Sequence, residues 1–459
     1  MTFRFDGDAI ARATGGSLVR PGPSGPIWTD TRTLAPGAWF VALRGVRFDA
    51  HRFLDAAREL GVAGAVVDQD VPGWPLGLVR VADTTRALQD LGRAARAQFG
   101  GRVVGITGSA GKTTTRAFTA LACRPLGAVH QTVGNLNNHL GVPLTLLACP
   151  PDAAVDVVEM GTSAPGEIGF LAELATPDVR LIVNVGAAHL EELGGLDGVA
   201  VEKGALFRTA QAGDVVCVNL DDARVAAVPI PAGVRRVTFG AAAGADIRLV
   251  SAVLLPDTLC TQCHFSTPEG ALEVQLPAPG AHLALNAAGA LSVAYALGAP
   301  LAASAEALAS YEPVGMRMRA EPLVHGAIAL NDAYNANPTS TAASLRLLAS
   351  LPGRRVAVIG DMLELGPGEG AFHDDIAALA RDLSLDLVVL VGPRMAAAAA
   401  SCPAAWVSPD GETVGGRSLA DDLRDWLRPG DRVLFKGSRG ARVERVLDAV
   451  RGTTDSGAH

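Results

Sequence analysis

The sequence has no surplus of basic residues; its formal net charge is −8. A nucleic-acid-binding protein needs a basic surface, so that class is set aside, while a local basic pocket for phosphates is not. A long uninterrupted apolar run is missing too. The Ala-rich stretch from Ala281 to Ala309 is broken by Asn286, Gly298, Pro300 and Glu306, whereas a membrane span needs about 20 apolar residues. Helices packed closely through small residues are expected there instead. No charged-then-apolar leader opens the chain, where Met1-Thr2-Phe3-Arg4-Phe5-Asp6 runs on to Asp8 and Arg12, and a cytoplasmic protein is expected. The six cysteines are scattered and lack the second pair that would complete a zinc site. Cys260-Thr261-Gln262-Cys263-His264 has the haem-attachment spacing. That attachment belongs outside the cytoplasm, and the neighbours Val253 to Leu255 and Phe265 alternate as a strand does. Reduced thiols are the expectation.

What is present is a folded globular composition, 49% apolar and 19% charged. At 459 residues the chain is too long for one core, so about two to four domains are expected. Its organising stretch is Gly105-Ile106-Thr107-Gly108-Ser109-Ala110-Gly111-Lys112-Thr113-Thr114. Arg102 to Ile106 reads as a buried strand before it, and Thr113 to Cys123 as a helix after it. That context makes a Gly-Lys-Thr turn a phosphate loop. Gly108 and Gly111 let the backbone approach an anion, and the loop amides and helix N-terminus supply partial positive charge. Lys112 would neutralise the outer phosphates of a nucleotide, and the Thr113 hydroxyl would hold Mg²⁺. The Walker A pattern is met imperfectly: it wants Gly where this chain has Ile106, with Gly105 one place earlier.

The pattern along the chain predicts an α/β protein of three domains. Residues 1–95 read as a small α/β domain, with a helix over Asp8–Gly15, strands over Ala38–Leu43 and Ala63–Val67, and Asp83 capping a helix that leads out. Thr29, Asp30, Thr31 and Arg32 cluster donors and acceptors there; a polar ligand site and a turn with an ordinary ion pair are equally compatible with that cluster. Residues 96–312 follow the phosphate loop with strand-like runs at 155–159, 179–185 and 214–219, as in a P-loop ATPase-like parallel sheet. Residues 313–459 alternate strands at 355–360, 386–392 and 431–436 with helices, a Rossmann-like, doubly wound pattern. Residues 452–459 read as a disordered tail.

In parallel sheets ligands sit at the carboxyl ends of the strands, which singles out polar residues there. Glu159 closes the apolar run Val155-Asp156-Val157-Val158 and is a natural Mg²⁺ ligand. His189 follows the strand at 181–185 and reads as either a metal ligand or a capping histidine. Lys203, next to Glu202, reads by periodicity as a surface lysine.

Several motifs in fixed order resemble the Mur ligases of peptidoglycan synthesis, most nearly the branch that adds D-alanyl-D-alanine. They include Thr29-Asp30-Thr31-Arg32, the phosphate loop, Gly134-Asn135-Leu136-Asn137-Asn138-His139, Glu159-Met160-Gly161 and Ala188-His189-Leu190-Glu191. They continue with Gly315-Met316-Arg317, Asn331-Asp332-Ala333-Tyr334-Asn335-Ala336-Asn337-Pro338, Gly360-Asp361-Met362-Leu363-Glu364-Leu365-Gly366 and Lys436-Gly437-Ser438-Arg439. The Asp-Asn-Pro-Arg signature of the ligase that adds the third residue is missing.

This resemblance implies an ATP-dependent amide ligase that joins D-Ala-D-Ala to UDP-N-acetylmuramoyl-tripeptide through an acyl phosphate. Thr107, Gly108, Ser109, Ala110, Gly111, Lys112, Thr113 and Thr114 would hold the phosphates, with Asn286 at the adenine and Arg317 and Asp332 reaching in from the third domain. Thr113 and Glu159 would hold one Mg²⁺ and His189 a second, supported by Lys203 as a carbamylated lysine. Thr29 to Arg32 would lie at the uracil end. Asn138, Tyr334, Asn335, Lys436 and Arg439 are assigned to the substrates. A monomer is implied. Two departures stand out: Lys203-Gly204-Ala205 replaces Lys-Gly-Glu, and Trp39 stands where Leu is more usual. The alternatives are a related amide ligase of Mur, folylpolyglutamate or cyanophycin type with another amine substrate, and a non-catalytic nucleotide-binding protein of the same fold.

Overall fold

The computed structural model describes residues 2–45 and 48–451; the expected tail at 452–459 lies outside the described residues. The first domain is built on a five-stranded sheet in the order Ser17–Arg20, Gly77–Arg80, Gly64–Val67, Trp39–Val41, Ile27–Trp28, parallel except for its first strand. The unusual Trp39 is fully buried here, and its Nε1 donates to Pro23 O at 2.9 Å. Glycines leave it the space. A Cβ on Gly64, Gly77 or Gly22 would come within 2.5, 2.6 and 2.8 Å of the indole. The larger residue is thus accommodated by its surroundings. Gly64→Ala is expected to lower stability by about 1–3 kcal/mol, the usual cost of overpacking a filled core, measured as a lowered melting midpoint in denaturant.

The helix Thr84–Gln98 begins where Asp83 accepts from the Arg86 amide at 2.9 Å. Its buried face of Ala87, Leu88, Leu91 and Ala95 belongs to one apolar cluster that runs from Ile10 and Trp39 to Leu146 and Leu171. The first two domains therefore share a core.

The central sheet has nine strands. Val129–Gln131, Val155–Glu159, Arg102–Thr107, Val179–Ile182, Val215–Asn219, Arg235–Gly240 and Ile247–Leu255 lie side by side and parallel, and Cys260–Thr267 and Gly270–Leu276 extend them antiparallel. The edge strand at 129–131, the strand at 235–240 and the antiparallel end were not anticipated in full from the sequence; only the alternation near 253–265 pointed to the hairpin. That alternation buries Cys263 and turns His264 to the other face, with its Nδ1 3.2 Å from Glu273 Oε1. The Cys260–His264 spacing therefore does not converge on one point. The Ala-rich stretch forms the helices Ala281–Ala296 and Leu301–Leu308. Small residues bring the first of these close to the sheet, with Gly289 against Leu181 and Phe239. Among the described residues no helix is long and apolar enough to cross a membrane.

The third domain's sheet runs Arg319–Pro322, Ile328–Asp332, Arg432–Lys436, Arg355–Gly360, Leu387–Val391, Trp406–Ser408, parallel but for its first strand. Its register sets Asp332 opposite Lys436 at the carboxyl ends of adjacent strands.

Candidate active site

Register gathers the site. In the central sheet Glu159 pairs with Ile106 and Ile182 with Thr107. Three strands thus end side by side, and the phosphate loop, Glu159 and the loop at 183–189 leave from one edge. Gly111 takes φ 78° to turn the chain into the helix Lys112–Ala122, a conformation glycine adopts without steric cost. A Cβ there would also stand 3.0 Å from the Asn286 amide. The loop is tied to its neighbour: Asn184 Oδ1 accepts from the Ala110 amide at 2.9 Å, and Ser109 Oγ accepts from the Gly186 amide at 2.8 Å.

Lys112 is half-buried, and its Nζ donates to Gly108 O at 2.7 Å. Loss of solvent around the ammonium pushes its pKa down; Glu159 opposes that shift and Arg317 adds to it. Glu159 is buried, with Oε2 3.2 Å from Arg116 Nη1 and Oε1 accepting from Asn137 Nδ2 at 2.9 Å. Arg116 is itself buried and is also held by Gln131 Oε1 and Gly134 O. Arg116, Asn137 and Asn184 were not among the residues expected to build the site. The signal for Arg116 was its spacing: it lies one helical turn from Lys112, on a helix whose other residues are apolar or small.

Lys203 corrects the periodicity reading. It is not on the surface; it is 1% exposed on the helix Leu196–Arg208. Burial, then the nearby charge of Lys112, brings its pKa down to about 7, against the pull of Glu202. Glu202 is buried too and accepts from the Gly166 and Ile168 amides at 2.6 Å each, holding the start of the helix Glu167–Ala175.

His189 sits at the start of the short helix Leu190–Leu193 with φ 54° and makes no side-chain cap bond. Its Nδ1 lies 2.8 Å from Glu364 Oε2 of the third domain. Glu364 also has a positive φ, 63°, and His189 holds its carboxyl below the usual range. Two non-glycine residues in this strained region face each other across the cleft, a situation typical of functional sites. Arg317 reaches across as well: its Nη2 donates to Thr113 Oγ1 at 2.9 Å, and its guanidinium lies 3.8 Å from the centre of the Tyr334 ring. Lys436 Nζ donates to Asp332 Oδ2 at 2.7 Å and to Asn335 O at 3.0 Å.

The chain contains only three lysines, Lys112, Lys203 and Lys436. Arginine supplies every other basic side chain except histidine.

The remaining expected residues are placed as follows. Asp30 and Arg32 pair with each other, Nη2 to Oδ2 at 2.6 Å, with Thr29 and Thr31 half-buried beside them. Asn138 Oδ1 accepts from the Gly141 amide at the start of the helix Gly141–Ala148. Arg439 is exposed and lies 3.2 Å from Glu444.

Lys112, Glu159, Thr107 and Thr113 beside the loop amides make a donor set of the kind that suits phosphate oxygens and a hard cation. The buried Thr107 Oγ1 lacks a hydrogen-bond partner. A Cβ on Gly108 would stand 2.9 Å from Val183. Thr113 Oγ1 accepts from Arg317 here, so that guanidinium would have to move aside for Thr113 to hold a cation.

Residues 106–294 match the Mur ligase middle domain and residues 316–439 the Mur ligase, glutamate ligase domain. The UDP-N-acetylmuramoyl-tripeptide–D-alanyl-D-alanine ligase of Escherichia coli (strain K12) is 35% identical over 428 residues, 93% of each chain. A MurF crystal structure from Acinetobacter baumannii superposes with TM-score 0.88 at 30% identity, covering 98% of this chain and 99% of that one. The MurF ligase of Thermotoga maritima in complex with ADP gives 0.82 at 29% identity, covering 93% and 97%. The chain belongs to the Mur ligase family, among its UDP-N-acetylmuramoyl-tripeptide–D-alanyl-D-alanine ligases.

Proposed function

We propose that this chain joins D-alanyl-D-alanine to UDP-N-acetylmuramoyl-tripeptide at the expense of ATP, acting as a cytoplasmic monomer. What supports the reading is the convergence of Lys112, Glu159, His189 and Lys203 from four separate segments on a cleft into which Arg317 and Glu364 reach from the third domain.

The carboxylate that ends the tripeptide is a poor electrophile, so it is first phosphorylated. Its oxygen attacks the γ-phosphorus, and ADP leaves. The dipeptide amine then attacks the acyl carbon, and phosphate leaves with the C–O electrons. The protein's share is positioning and charge neutralisation. The loop from Thr107 to Thr114 cradles the phosphates, Lys112 turns from Gly108 O to their outer oxygens, and Asn286 lies at the base. Residues 1–95 hold the uridine end, through Thr29 to Arg32. Residues 313–459 hold the dipeptide, with Tyr334, Asn335, Lys436 and Arg439 near it and Asp332 fixing Lys436. Thr113 and Glu159 would hold one Mg²⁺, and His189 with a carbamylated Lys203 a second; the ions would supply charge neutralisation to the phosphates.

The test is phosphate release from Mg-ATP with tripeptide substrate and dipeptide, each omitted in turn. Release that needs all components, with a pentapeptide product by mass, is expected. Release with glutamate in place of the dipeptide would move the chain to a folylpolyglutamate-type reaction.

Glu364 has a role in this scheme. A carboxylate on one ring nitrogen fixes the other toward a metal, and this carboxylate arrives only when the third domain closes. Glu364→Ala is expected to raise the Mg²⁺ concentration for half-maximal rate by about 10–100-fold, with a smaller loss at saturating Mg²⁺. A Mg²⁺ titration that matches the unaltered enzyme would remove Glu364 from this role.

A further inference from the structure

One buried cluster has no part in this chemistry, and it lies toward the amino ends of the central strands. Asp156, second in the strand Val155–Glu159, is fully buried. Its Oδ1 lies 2.9 Å from His130 Nδ1, while its Oδ2 is buried without a hydrogen-bond partner. His130 is the residue directly beside it on the edge strand. Cys149 follows the helix Gly141–Ala148 and is a buried free thiol. One ligand atom from each of the three lies within 4.8 Å of the others.

A His–Asp pair accounts for Oδ1 and leaves Oδ2 with no partner but the nearby Cys149 thiol, a weak donor that also lies 3.6 Å from Pro150 O. A nucleophilic thiol is disfavoured as well. Burial and the adjacent Asp156 push the Cys149 thiol up, whereas a reactive cysteine needs the opposite shift.

We propose that His130, Cys149 and Asp156 bind one zinc-class divalent cation, at a site separate from the nucleotide cleft. A carboxylate, a thiolate and a neutral imidazole sum to two negative charges, which a dication cancels, and burial of charge demands such pairing. The mixed N, S and O donors favour Zn²⁺ or Co²⁺ over Mg²⁺. Bonds of about 2.0–2.3 Å in a tetrahedron put ligand atoms about 3.3–3.8 Å apart, so the thiol must draw in while the His130–Asp156 contact, now 2.9 Å, opens slightly. On binding, the Cys149 S–H bond breaks, a sulfur–metal bond forms and the proton passes to solvent, with no redox change. The His130 side chain is 17% exposed, which leaves the fourth position to water. The ion would pin the end of the helix Gly141–Ala148 to two strands. The other end of that helix starts beside Asn137, which holds Glu159, so the pin would stiffen a support of the nucleotide site.

The test uses the full chain, stripped of metal by chelator and then saturated with Mg-ADP to fill the cleft. Co²⁺ is added while the thiolate-to-cobalt absorption is followed, and Zn²⁺ then competes. One Co²⁺ per chain with a thiolate band, bleached by one equivalent of Zn²⁺, is expected, together with a Zn²⁺-dependent rise in melting temperature. C149S should remove the band and weaken Zn²⁺ by more than about 100-fold, since even an outer partner's loss costs about 10–100-fold. D156N should weaken it too, and H130N, at the ligand nearest solvent, keeps the test open where a buried variant does not fold. No thiolate band in the unaltered chain overturns the proposal. So does a band that survives in C149S, which would assign the thiolate to another cysteine.

Discussion

Lys112→Ala is expected to lower phosphate release by about 10³-fold or more at saturating substrates, the scale on which loss of one transition-state donor is felt, while the protein melts no lower than before. The two halves of this expectation have one cause. The ammonium is half-buried, with desolvation working against its charge, so its removal relieves the folded state of an unfavourable group. The neighbouring guanidinium groups are already engaged. Arg116, one turn along, is held by Glu159, Gln131 and Gly134. Arg317 is stacked on Tyr334 and bonded to Thr113. Stopped assays of phosphate release alongside a thermal melt check both halves. Near-normal turnover in this variant would sink the phosphate-loop assignment.

The contrast between Lys112 and Lys203 shows how far sequence reading reached. Lys112 was legible because the strand, glycine turn and helix are local features, each carried by adjacent residues. Lys203 was not, because its helix is buried on several sides. Val199, Lys203, Leu206 and Phe207 lie inside, and so do Glu202 and Gly204, so no polar face marks the side on which the lysine lies. Only the family resemblance brought it back. Strands with a continuous apolar run were legible at 155–159 and 355–360. The three-residue edge strand Val129–Gln131 was not, since a run that short carries no period. Arg116, Asn184 and Glu364 escaped for a third reason: their roles depend on partners at 159, 110 and 189, pairings between residues far apart in sequence that exist only in the folded chain.

Lys203→Ala is expected to lose most activity, by about 10²-fold on the scale of losing a group that orients a reacting ligand, and to regain part of it with formate or acetate. Carbamylation joins the amine nitrogen to CO₂ with loss of a proton, and only the neutral amine can attack. With a pKa near 7, Lys203 is mostly neutral above that pH and mostly an ammonium below it, whereas an exposed lysine would stay charged to about pH 10. Activity in CO₂-depleted buffer should therefore fall, recover with added bicarbonate, and recover less as the pH drops below 7. The same Lys112 charge that disfavours an ammonium at Lys203 would favour an anionic carbamate there. The effects of losing the two lysines should be non-additive: the Lys112→Ala/Lys203→Ala double variant should fall well short of the product of the two single losses. Bicarbonate-independent, fully active Lys203→Ala would return this residue to a packing role, and strictly multiplicative losses would uncouple it from Lys112.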